Sequence, residues 1–148
     1  MNTTKCNSRV FGYNLGRIII LLVVAGIFAY LLNQGDKIGM LISGILFVAL
    51  ALFSIGAQLS EDKLKVDISG IPVKTIPVAD IKNASRVTSS PFFERNTFGA
   101  HVGGLGWSFH VGAPNLLITL ANGNTYRVSV DDPNAFISAL RKQLAPAA

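Results

Sequence analysis

The stretch Ile18-Ile-Ile-Leu-Leu-Val-Val-Ala-Gly-Ile-Phe-Ala-Tyr-Leu-Leu32 decides how the rest of the chain is read. An unbroken apolar run leaves a helix with no polar face for water, so its place is in lipid. A hydrocarbon core needs roughly 20 residues. The helix reaches that length by starting near Tyr13, with Arg17 snorkelling its charge back to the headgroups. Tyr13 and Tyr30 then fall where interfacial aromatics sit, as anchors beside Arg17. A second uncharged run, Ile38 to Ala57, has twenty residues and is long enough by itself. Only Asn33-Gln34-Gly35-Asp36-Lys37 separates the two, so the spans are expected as an antiparallel hairpin. That link holds no small-x-small cleavage pattern, which argues against a signal peptide. Small residues four apart, Ala25 and Ala29 on one helix and Gly39 and Ser43 on the other, suit close helix contact.

Of the 148 residues, 50% are hydrophobic and 14% charged, and the apolar excess lies almost wholly between Arg17 and Leu59. The net charge of +5 divides unevenly. Lys5, Arg9 and Arg17 stand before the first span without an acid, Asp36 and Lys37 cancel in the link, and the chain from Gln58 onward carries +2. That last part is nearly balanced, so nucleic acid is not an expected partner. The basic flanks, including Lys63 and Lys65 after the second span, put both termini in the cytoplasm by the positive-inside rule. Three segments follow: a basic cytoplasmic tail over 1–16, a two-helix transmembrane hairpin over 17–58 and a cytoplasmic β-rich domain over 59–148. The single cysteine, Cys6, lies in the tail and supports neither an internal disulfide nor a metal cluster. It is read as an ordinary tail residue or, near a span, as a lipidation site.

Beyond Glu61 the pattern alternates. Leu64, Val66 and Ile68 face one way and Lys63, Lys65 and Asp67 the other, the period of a half-buried strand. Ser69-Gly70 turns the chain into Ile71–Ile76, where Pro72 marks an edge or bulge. Pro77–Ile81 reads as a corner and Ala84–Thr88 as a further strand. Gly106–Val111, Asn115–Leu120 and Thr125–Val130 complete the strands, the last two joined by Ala121-Asn-Gly-Asn124, a strong hairpin signal. A closing helix is capped by Asp131 or Asp132, carries Pro133 in its first turn, and buries Phe136, Ile137, Leu140 and Leu144.

Lys63-Leu-Lys-Val-Asp-Ile-Ser-Gly70, Ile76-Pro-Val-Ala-Asp-Ile81, Leu117-Ile-Thr-Leu-Ala-Asn-Gly-Asn-Thr-Tyr126 and Asp132-Pro-Asn-Ala-Phe-Ile-Ser-Ala-Leu140 together carry a resemblance. The region from about residue 38 to 144 resembles the bacterial pleckstrin-homology-like domains found behind two membrane helices. The resemblance implies an α+β fold: a transmembrane α-hairpin followed by a bent antiparallel β-barrel or sheet capped by a C-terminal helix. It implies a binding or assembly module and no activity.

No P-loop, Gly-x-Ser-x-Gly or His-Glu-x-x-His motif occurs. The two histidines, His101 and His110, have only Glu94 as a nearby candidate co-ligand, so no catalytic, cofactor or metal site and no small-molecule substrate are expected. An enzymatic reading would need a pocket joining a histidine to Glu94 or an aspartate. The unusual soluble segment is Pro91-Phe-Phe-Glu-Arg-Asn-Thr-Phe98, within a long loop from Ser89 to Leu105. Phe92, Phe93, Arg95, Phe98 and the following Trp107 either plug the open end of the barrel or form a loop that enters the membrane or clasps a partner. The expected protein is therefore a non-enzymatic, two-span protein of a bacterial plasma membrane. Its partners are membrane lipids and other membrane-protein subunits, within a larger complex such as respiratory or envelope machinery. A lipid-responsive surface module in envelope-stress adaptation is the alternative.

Overall fold

The structure, a computed structural model, describes residues 6–104 and 106–145. Lys5 of the expected tail and Leu105 at the end of the expected loop lie outside the described residues. The fold is α+β. Four strands form one sheet in the order β1 (Cys6–Val10), β2 (Ile55–Leu59), β3 (Lys63–Ile68) and β4 (Ile71–Pro77). Five form a second, in the order β5 (Ile81–Arg86), β8 (Leu116–Leu120), β9 (Thr125–Val128), β7 (Gly106–Val111) and β6 (Phe98–Gly103). The strands form two sheets and no closed barrel, so of the bent barrel or sheet that the resemblance implies, the barrel form is not seen. Nor is the pairing wholly antiparallel, because the β8–β9 hairpin inserts between β5 and β7, leaving β9 parallel to β7.

Alternation along β3 buries Leu64 and Val66, and a register shift at Val66/Asp67 brings Pro72 opposite Asp67. The Asn-Gly turn forms as read: Gly123 has φ +88°, and Asn122 accepts from the Asn124 amide. The helix α4 (Pro133–Leu144) starts at Asp132, whose carboxylate accepts from the Ala135 amide at 3.1 Å. It buries Phe136, Ile137 and Leu140 against one core shared by both sheets. A bond from the Asp131 amide to the Ser8 hydroxyl, 2.8 Å, ties its start to β1.

Two expectations about the N-terminal half change. Residues 6–10 are a strand on the edge of the first sheet, where Arg9 pairs with Asp67 at 2.9 Å. The second apolar run is not one helix, because α2 (Lys37–Ala51) ends after fifteen residues. The residues beyond it form β2, hydrogen-bonded on both sides, with Ile55, Ala57 and Leu59 buried. Solid apolarity suggests a lipid-facing helix, but a central strand buried on both faces has the same composition.

The preceding helix, α1 (Leu15–Gln34), is the one helix among the described residues that is long and apolar enough to cross a membrane. At 1.5 Å per residue it rises about 30 Å, and α2 about 22 Å, against a core of about 30 Å. Only Arg17 and Val24 of α1 are buried, so it is not the core helix of a water-soluble domain. The two helices form an antiparallel hairpin, reversed by Gly35 at φ +71° and an Asp36 cap on Gly39. Gly39 and Gly44 of α2 meet Leu31 and Phe28 of α1, and Ser43 is buried. Ala25 and Ala29 instead stay exposed, Ala25 at the rim of the helix contact beside Phe28, Gly44 and Val48. Removal of α1 as a signal peptide would also strip β1 from its sheet, a second argument against that reading.

Candidate functional site

Where the hairpin leaves the sheets, α2 ends with carbonyls that have no helical partner. Arg17 fills that need. Its guanidinium, fully buried at 0% exposure, donates to the carbonyls of Leu50 (3.1 and 2.8 Å), Ala51 (2.8 Å) and Phe53 (2.7 Å). It also donates to Phe11 and Gly12 in the turn from β1 to α1. The positive charge lies at the negative end of the α2 dipole. Arg17 thus does not snorkel toward headgroups as expected: the carbonyl cluster holds it inside the protein. It stacks 4.5 Å from the ring of Tyr13, whose hydroxyl donates to Ala51 at 2.8 Å. Tyr30, exposed, lies fifteen residues along α1 from Leu15, about 22 Å from the start of the helix by helical rise.

Further contacts bind this root to both sheets. Asn14 caps α1 through the Arg17 amide and donates to the Thr97 carbonyl at 3.0 Å. Phe53 packs on Phe98 with centroids 4.9 Å apart. The backbones are close enough that a Cβ at Gly16 would stand 2.0 Å from the Asn96 carbonyl oxygen.

Asn96 belongs to α3 (Phe92–Asn96), a short helix inside the long loop read from the sequence. Phe92 and Phe93 project from it, 82% and 72% exposed, beside the hairpin root. Ile71, on a turn tied to Ser54 by the Ser69 amide, and Leu52 are exposed at the same root. Of the five residues grouped from sequence, the structure separates three from this pair. Phe98 packs inward on Phe53 and Arg17. Arg95 turns back to the Ser90 carbonyl at 2.9 Å. Trp107 lies at the opposite end of β7, stacked on Phe109 at 5.9 Å.

Between Phe93 and Arg95, Glu94 points the other way and is buried at 1% exposure. Its Oε1 accepts from the Arg127 guanidinium and lies 3.0 Å from His101 Nε2. His110 meets His101 edge to face, 5.1 Å between centroids. The structure therefore brings His101 to Glu94, which is one part of what an enzymatic reading requires beside a pocket. Arg127, which occupies the carboxylate, does not stand out in the sequence. The available signal is its place in a strand between two core residues, Tyr126 and Val128: its side chain must face away from the core. No group of three or more His, Cys, Asp or Glu among the described residues is placed to hold a metal ion.

Burial holds the His110 pKa below its usual value, with neighbouring His101 and Arg127 adding to that effect against the Gly112 carbonyl and Glu94. Its Nδ1 lies 2.9 Å from the Gly112 carbonyl, which can only accept, so Nδ1 carries the proton of a neutral ring. The unfolded chain, with an ordinary histidine pKa near 6.5, binds the extra proton first as pH falls. The stability this group contributes is thus full above about pH 6.5 and declines as pH falls below it. Melting curves from pH 7.5 to 5 should show that decline in the native chain and a flatter profile in His110→Gln. Equal slopes would assign the effect elsewhere.

Comparison of the chain with protein-family models, curated proteins and solved structures found no match.

Proposed function

We propose that this chain is a non-enzymatic integral membrane protein whose hairpin inserts into a bacterial plasma membrane as two spans, with both termini cytoplasmic. The domain built on it is held against the membrane and makes contacts with other membrane-protein subunits, as an accessory or assembly component. The observation that carries this reading is the buried Arg17 cluster, which fixes an all-round apolar hairpin to both sheets of a water-facing domain. A loosely tethered anchor needs no such root. A platform that presents a surface at a defined height and angle does.

The hairpin also offers something for a partner. Phe28, Met40, Leu41, Gly44, Ile45 and Val48 line an open apolar groove along its flank, shaped for another helix. The groups able to do acid–base work, Glu94, His101 and His110, are taken up by Arg127, by one another and by the backbone. We read the domain as a departure from the pleckstrin-homology-like pattern that keeps its succession of strands and closing helix. Purification from the native host in mild detergent, followed by cross-linking and mass spectrometry, tests the reading. A reproducible larger assembly is the expected result, and recovery only as a free monomer would contradict it.

A second reading, a lipid-responsive surface module, is favoured by the exposed Phe92, Phe93 and Ile71 around the root. It requires the full chain for its test, because a fragment from Gln58 onward lacks β1 and most of β2. A Phe92→Trp, Trp107→Phe double variant in nanodiscs should be quenched by brominated lipid, whereas native Trp107 at the far end of β7 should not. Equal, weak quenching of both would remove this reading.

A further inference from the structure

The face of the second sheet turned away from the core carries a row of polar groups whose hydrogen-bonding capacity is mostly unspent. His101 pairs with Ser108 across β6–β7, and Ser108 with Arg127 across β7–β9, so the three side chains share one face. The alternate residues Phe109, Tyr126 and Val128 belong to the core. No acidic residue occurs in β6, β7, β8 or β9. By itself the row is a guanidinium, a hydroxyl and an imidazole without a counter-charge, the donor set that binds an oxyanion.

The carboxylate there is brought in from outside, by α3, and it fits poorly. Glu94 uses Oε1 alone, while Oε2 has no partner. Arg127 Nε and Nη1 and the Ser108 hydroxyl are also without partners. All three residues are more than nine-tenths buried, at 1% (Glu94), 4% (Arg127) and 0% (Ser108) exposure. A carboxylate selected only to neutralise Arg127 would take the bidentate fork, which adds both energy and geometry. Unspent buried donors cost about 1–3 kcal/mol each when left unmade. Their presence beside a carboxylate on a five-residue helix describes a site occupied by a substitute.

We propose that Arg127, Ser108 and His101 form a phosphate-binding site and that Glu94 is its internal plug, displaced with α3 when a phosphate group enters. The incoming oxygens take the Nε/Nη1 edge of Arg127 and the Ser108 hydroxyl, which Glu94 does not reach. His101, 38% exposed at the side chain, marks the open side of the site. Displacement of one anion by another keeps the buried charge balanced, and α3 moves as a short segment carrying Phe92 and Phe93.

The chain has only two histidines, so imidazole NMR signals of the full chain in detergent report directly on this row. Inorganic phosphate, in a non-phosphate buffer, should shift both signals, whereas sodium chloride at equal ionic strength should not. Glu94→Gln should bind phosphate about tenfold tighter, because a plug that leaves about a tenth of the sites open lowers the apparent affinity by that factor. Ser108→Ala should weaken binding without a change in the melting curve. Shifts seen only in bilayers containing phosphatidic acid, and not with inorganic phosphate, would assign the phosphate to a lipid headgroup. No shift in either medium, or the same shift with chloride, overturns the proposal. The native chain alone decides between these outcomes, even if Glu94→Gln does not fold.

Discussion

Arg17→Met is expected to lower the melting temperature of the detergent-solubilised chain by roughly 10 °C or more. Methionine keeps the length and apolar character of the stem but removes every donor. The carbonyls of Leu50 and Phe53 then lose their only side-chain partner among the described hydrogen bonds, and those of Phe11 and Gly12 lose theirs. Each buried, unpaired carbonyl costs about 1–3 kcal/mol. Partial hydration at the root reduces the sum, and roughly 3–5 kcal/mol is the expected loss. Arg17→Lys separates charge from geometry. An ammonium keeps the favourable interaction with the α2 dipole, yet cannot span carbonyls on two separate segments as a planar fork does. It should recover less than half of the loss. An Arg17→Met variant that melts with the native chain would show that the root is not held by this residue.

The second large effect is at Arg127. Arg127→Leu leaves the Glu94 carboxylate buried without its guanidinium, and removal of one partner of a buried pair costs about 3–5 kcal/mol. The paired change Glu94→Leu with Arg127→Leu removes both charges and should restore most of that stability, since an apolar replacement of a buried ion pair is often neutral or better. Chemical denaturation of the two single variants and the double variant gives the coupling directly. Additive losses would mean that Glu94 and Arg127 do not act on one another. The expected recovery also bears on why the pair exists. Two leucines would hold α3 down as well as an ion pair that leaves Glu94 Oε2 and three polar atoms of the row unspent, so its retention points to a use other than stability.

Much of the β-rich domain could be read along the chain, because its signals are local. The alternation of Lys63–Ile68, the Asn122-Gly123 turn and the Asp132-Pro133 start of α4 each need only a few neighbouring residues. What escaped was long-range. Cys6–Val10 has a single fully buried side chain, Ser8, and becomes a strand because Ile55–Leu59 lies beside it. That partner strand is hidden in turn by an apolar run that passes from lipid-type helix to protein core without a polar residue between Leu50 and Phe53. Arg17 stands out in the sequence, but its partners are backbone carbonyls, which leave no mark there. Glu94 and Arg127 stand 33 positions apart, and nothing local links them. The aromatic grouping was half legible: Phe92 and Phe93 share an exposed surface, whereas Trp107 is carried by β7 to the opposite end of the sheet.

The function proposed for this protein depends on a hairpin that crosses the bilayer while the domain stays on the side of both termini. Gln34 at the hairpin tip and Asn122 in the β8–β9 turn are exposed, and Cys6 is the only native thiol. Cysteines placed singly at these two positions, in a Cys6→Ser background, can be labelled with a membrane-impermeant maleimide in intact bacterial cells. The predicted result is that Gln34→Cys reacts from outside, while Asn122→Cys reacts only after permeabilisation. Equal protection of both until the membrane is opened, or equal labelling of both in intact cells, would contradict a hairpin that spans the membrane.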